Sequence, residues 1–225
     1  MKKLLYLVFL ASFFSCDQTQ SINSKGKDAL TKSKYHKLFA QYFNIAIDTL
    51  WVYSPDTDSS AYNGRAIDSI NALFFPSDMA QQHFIEPPSL FAIYKFAIDS
   101  NRLALITRTP SDYVPSSVKL FFYDKRKDSL TSFIEIGETI GDAGDYMVKN
   151  TWLFRDTISK HILALIDVTQ GHDNSVENPK DTTISETDYY TLLDLSKEKI
   201  DTLFDDKENL PRQYQNMVRK KAKIR

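Results

Sequence analysis

One cysteine, Cys16, is all that this 225-residue chain contains, so no disulfide closes within it. Glycine is scarce, with 6 residues, and none opens the Gly-Lys-Ser/Thr sequence of a phosphate loop. There is no Gly-x-Ser-x-Gly nucleophile elbow. The four histidines, His36, His83, His161 and His172, are scattered, with no pair at zinc-ligand spacing. Charge of one sign is also missing: the formal net charge is −1, which sets the chain apart from nucleic-acid binders and their basic excess. The apolar run near the start, Leu4 to Phe14, is 11 residues long. A membrane-spanning helix needs roughly 20.

That short run has its own meaning. Lys2 and Lys3 precede it and Ser15-Cys16 closes it, the order of a positive n-region, an apolar h-region and a small residue before a cleavage point. Phe13-Phe14-Ser15-Cys16 resembles the lipobox of bacterial lipoproteins, although Phe13 and Phe14 stand where that family prefers leucine and a small residue. The resemblance covers residues 1–16 and implies that Cys16 receives a diacylglycerol and becomes the new N-terminus. Residues 1–15 are then a signal peptide, and the polar, patternless stretch 16–27 is a flexible tether. The expected location is outside the cytoplasm, lipid-anchored to a bacterial membrane at its periplasmic face or the cell surface.

Removing the leader takes Lys2 and Lys3 with it, and the formal charge from −1 to −3. What remains is long enough for one domain with a substantial core, residues 28–225. Fifteen Phe, 12 Tyr and 2 Trp favour pleated, half-buried surfaces, so the composition leans towards sheet. Tyr35, Leu38, Phe39, Tyr42 and Phe43 recur at helical steps and predict a helix near 28–43. Ile45, Ile47, Trp51 and Tyr53 predict a strand ending at Pro55, and 54–64 is turn chemistry. Ile67, Ile70, Leu73 and Phe74 predict a short helix stopped by Pro76.

Four hairpins follow: 91–98 with 102–108, 118–123 with 130–136, 146–154 with 161–168, and 189–195 with 200–204. Leu103-Ala104-Leu105-Ile106 recurs sixty positions on as Leu163-Ala164-Leu165-Ile166. Phe122 to Lys127 matches 193–198 more loosely. The hairpins therefore read as two blade-like four-stranded units. Two units do not close a propeller ring, so the expected fold is a mainly β antiparallel meander, sandwich, barrel or partial propeller, with flanking N- and C-terminal helices. The C-terminal helix is signalled by Asp205, Asp206 and Glu208 before Pro211, by the apolar stripe Tyr214, Met217 and Val218, and by a basic end.

Two segments stand out as candidate ligand-binding loops. Gly137 to Asp145 holds half of the glycines, with Asp142 and Asp145 among them, and reads as a wide turn between hairpins. Gln170 to Asp181 carries His172, Asp173, Asn174, Glu177 and Asp181, oxygen-rich enough to suit calcium through Asp173, Asn174, Glu177 and Asp181, without EF-hand spacing. Asp56, Asp58 and Ser60 form a third such run, again without that spacing. No catalytic signature stands out and no other cofactor is implied. The expected function is that of a non-enzymatic cell-envelope lipoprotein whose β-rich domain binds an envelope protein or glycan through these loops, with the membrane as its other partner. The alternative is a carboxylate-based hydrolase of an envelope polymer or glycan.

Overall fold

The structure is a computed structural model and describes residues 32–53, 64–76, 90–111, 113–114, 116–197 and 199–221. Cys16, the leader, the tether and the Asp56–Ser60 run lie outside the described residues. A short helix α1 (His36–Gln41) is followed by β1 (Phe43–Asn44), β2 (Thr49–Val52), β3 (Arg65–Ala66) and α2 (Ser69–Ala72). The long meander comprises β4 (Phe91–Ala97), β5 (Arg102–Thr109), β6 (Ser117–Asp124), β7 (Ser129–Asp142), β8 (Asp145–Arg155), β9 (Ile162–Asp173), β10 (Ile184–Asp194) and β11 (Asp201–Asp205). Helices α3 (Asn209–Gln213) and α4 (Gln215–Lys221) close the described chain. Among the described residues no helix is long and apolar enough to cross a membrane.

The strands form one open path, β1-β4-β5-β6-β7-β8-β9-β10-β11, with β3 on β4 and β2 on β8. The chain is thus mainly β with short flanking helices, and the sheet is not closed into a barrel or ring. The path folds at β7. Residues 129–137 of this strand pair with β6, and residues 138–142 pair with β8. On either side of the elbow lies a four-stranded antiparallel meander, and the two pack face to face.

Alternation of side chains explains the layers. Ile106, Leu120 and Phe122 of the first unit meet Leu153, Ile162 and Ala164 of the second in one buried cluster. The opposite face of the first unit, with Leu103, Leu105, Phe121 and Tyr123, is covered by Tyr35, Leu38, Phe39 and Tyr42 around α1. The opposite face of the second, with Trp152, Phe154, Leu163 and Leu165, is covered by Leu210, Tyr214, Met217 and Val218 of the C-terminal helices. The sixty-residue recurrence has a structural counterpart here. Ala104 and Ala164 both face between the sheets, and the leucines beside them face the outer layers. The looser match fits as well, since Ala104 pairs with Phe122 and Ala164 with Leu193. Only the turn chemistry is offset by one residue: Asp124 and Asp194 each accept a backbone N–H two residues on.

Four expectations are corrected. The first helix is described only as α1, and Phe43, inside the helical stripe, is a strand residue paired in parallel with Tyr94. The strand expected over 45–53 is confined to β2, where it lies on β8. The C-terminal helix is broken at Tyr214; in the turn before it, Asp206 accepts the N–H groups of Glu208 and Asn209. Most consequential for function, residues 137–145 are not a wide turn. They are strand up to Asp142, a two-residue turn at Ala143-Gly144, and strand again from Asp145.

Candidate functional site

The last correction lengthens β7 to β10 into a ribbon that projects past the first unit. Ala143 and Gly144 have φ of 50° and 92°, the left-handed pair of a tight hairpin turn whose twist matches the strands it joins. β9 likewise runs on to Asp173, so the second candidate loop is confined to 174–183 between β9 and β10. Both segments singled out in the sequence therefore end at one tip. Asp145 stands opposite His172 in the β8–β9 register, with Oδ1 of Asp145 2.7 Å from Nδ1 of His172. That hydrogen bond, helped by the charges of Asp145, Glu177 and Asp173, raises the His172 pKa.

The tip is held together across three strands. Gly171 lies between Tyr146 and Glu186 in the pairing, and a Cβ there would fall 2.4 Å from the Tyr146 ring. Glycine lets the ring cross it, and the Tyr146 hydroxyl donates to Oε1 of Glu186 at 2.5 Å. An open cleft of about 580 Å³ is lined by Ile140, Asp142, Asp145, Tyr146, Met147 and Gln170 of three neighbouring strands, and by Tyr113 of the β5–β6 connection. Asp145 remains 82 % exposed. The structure thus gathers Asp142, Asp145 and His172 beside a cleft on the surface and encloses them in no deep pocket.

Other oxygens of the second loop are spent on the loop itself. Asp173 accepts from the Ser175 N–H, Asp181 accepts from the hydroxyl and N–H of Thr183, and Asn174 donates to Thr183. Hydrogen bonding from Ser175 and from Thr183 holds the two carboxyls below their ordinary values. Among the described residues no group of three or more histidine and acidic side chains is drawn together as metal ligands. The remaining described histidines serve the scaffold. His161 pairs with Asp194 at 2.8 Å where β9 begins, and His36 bonds the Ser33 carbonyl beside α1.

Four charged residues that drew no notice in the sequence form a row at the elbow. Lys119 of β6 sits 2.9 Å from Glu135 of β7, and Lys149 of β8 sits 3.7 Å from Glu138. Each pair is directly cross-strand. A β-bulge makes the row possible: Val118 pairs with Gly137 and Lys119 with Glu135, so Ile136 is the extra residue. It brings Glu138 into hydrogen-bonding contact with Glu135, and burial first, then the Glu135 charge, raises the Glu138 pKa. Lys119 also donates to Thr109 and Ser117. One signal in the sequence was available, a lysine within the otherwise apolar run Val118–Tyr123.

No protein-family model, curated protein or solved structure matches this chain.

Proposed function

We propose that the chain is an exported, lipid-anchored cell-envelope protein whose domain is a binding module, with the tip of the β7–β10 ribbon as its contact surface. The observation that carries this reading is the meeting of Asp145 with His172, which brings two segments distant in sequence to one exposed end. No residue of 138–149 or 168–189 belongs to the buried cluster between the sheets, and segments held out from a rigid scaffold are where binding residues concentrate. Asp142 and Asp145 are exposed beside an open cleft rather than enclosed in a deep pocket, an arrangement that favours contact over a water-excluding hydrolytic site.

Two experiments test the two halves. Radiolabelled palmitate fed to cells should enter the native chain and not Cys16→Ser; labelling of both rejects the anchor at this site. For the contact surface, a photo-crosslinking residue is placed at Tyr113 or Asp142 of the membrane-anchored protein. Adducts are expected there and not at Ile158, an exposed residue in the β8–β9 turn, at the other end of those strands. Equal adducts at Ile158, or none at the tip, reject the tip as the surface.

A further inference from the structure

The outer half of β7 is an edge. β6 leaves it at Gly137, and among the described residues no strand pairs with its free side beyond that point. Which backbone groups face outward follows from the ladder. Asp173 N–H donates to the Gly144 carbonyl, so residues 144, 146 and 148 bond β9, and 145, 147 and 149 turn towards β7. Their partners Asp142, Ile140 and Glu138 are thereby engaged. Thr139 and Gly141 therefore turn their N–H and C=O groups to the free side of β7; Gly141 borders the cleft, as does Tyr113, which is 57 % exposed.

We propose that this edge binds an extended, lysine- or arginine-bearing polypeptide segment by strand addition, an occupant that rests on the ribbon tip being a contact surface. Three features select that chemistry. The outward groups of Thr139 and Gly141 repeat at strand spacing and match the backbone of an added strand. Ile140 on the edge strand, with Met147 beside it on β8, gives one apolar contact for a residue of the added strand. The tip is acidic: Asp142 and Asp145 border the cleft, and Asp173, Glu177, Asp181 and Glu186 lie on the ends of β9 and β10 and their connection, against the cations His172, paired with Asp145, and Lys180. That field draws cations and repels acidic segments.

The test uses the leaderless chain, labelled with ¹⁵N, and capped Lys-Val-Lys-Val-Lys, Glu-Val-Glu-Val-Glu and chitotetraose as probes. The lysine peptide should shift the amides of Thr139, Gly141, Asp142 and Tyr113, with affinity falling as salt rises. Asp142→Lys should weaken it about tenfold. Thr139→Pro deletes one outward N–H while leaving the β8 ladder intact, and should weaken it about three- to tenfold. An unchanged circular dichroism spectrum shows that each variant is folded. Equal binding of the glutamate peptide overturns the charge argument. Shifts at the tip with the sugar alone overturn the peptide and leave the contact surface standing. Peptide shifts confined to other faces overturn both, and silence from every probe overturns the proposal.

Discussion

Asp145 and His172 face each other across β8 and β9, with carboxylate oxygen and ring nitrogen 2.7 Å apart at the ribbon tip. The pair favours the imidazolium, so the His172 midpoint should lie above its ordinary value of about 6.5. In a ¹⁵N-detected titration, Asp145→Asn should bring the midpoint down. The sign for stability follows from the raised value. The contribution of the pair is fully present below the unfolded midpoint and is lost as pH rises through the folded one. An Asp145→Asn titration that overlays the native one would show that the contact does not form.

Glu138 behaves oppositely with respect to charge, because burial and the neighbouring Glu135 favour its protonated form. With the folded value above the unfolded one, the native state holds more protons in that interval, and stability falls as pH rises through it. Glu138→Gln should therefore flatten urea midpoints measured from pH 4 to pH 8. A variant that keeps the native slope would place the titration elsewhere.

Ala104 and Ala164 occupy matched positions between the sheets, both fully buried. Leucine at either site overfills a packed layer and should cost about 1–3 kcal/mol. Ala104→Leu and Ala164→Leu should lower stability by similar amounts in chemical denaturation. A large loss at one and none at the other would break the equivalence of the units.

Ala143 holds a positive φ that an L-residue with a Cβ adopts at a cost. Ala143→Gly should stabilise the protein by up to about 1 kcal/mol, and Ala143→Asn should also be favourable. Gly144→Ala should do the reverse, since its Cβ would meet the Asp173 carbonyl oxygen at 2.9 Å. Melting temperatures of the three variants decide the matter, and a stabilised Gly144→Ala would refute the turn geometry.

Much of the meander was legible because hydrophobic alternation and polar turns say the same thing in Arg102–Thr109 or Ser117–Asp124, where tertiary context only confirms local preference. The ribbon was not. Gly-Glu-Thr-Ile-Gly-Asp, residues 137–142, has the composition of a turn, and its extended form is imposed by pairing with Asp145–Lys149. The elbow row was hidden for a geometric reason. Residues three apart in a regular strand point to opposite faces, so Glu135 and Glu138 become neighbours only through the extra residue Ile136. The meeting of Asp145 and His172 was hidden by distance along the chain, although both residues had been singled out.

β7 is one unbroken strand shared by both sheets, and this governs how the molecule bears load. A pull on the ribbon tip runs along the backbone of β7 into residues 129–137, where it is opposed by the whole β6 ladder in shear. Bonds loaded in shear must give way together, whereas bonds peeled from one end fail singly. A load applied at the tip would thus be opposed by the β6 ladder as a whole and not by one hydrogen bond at a time.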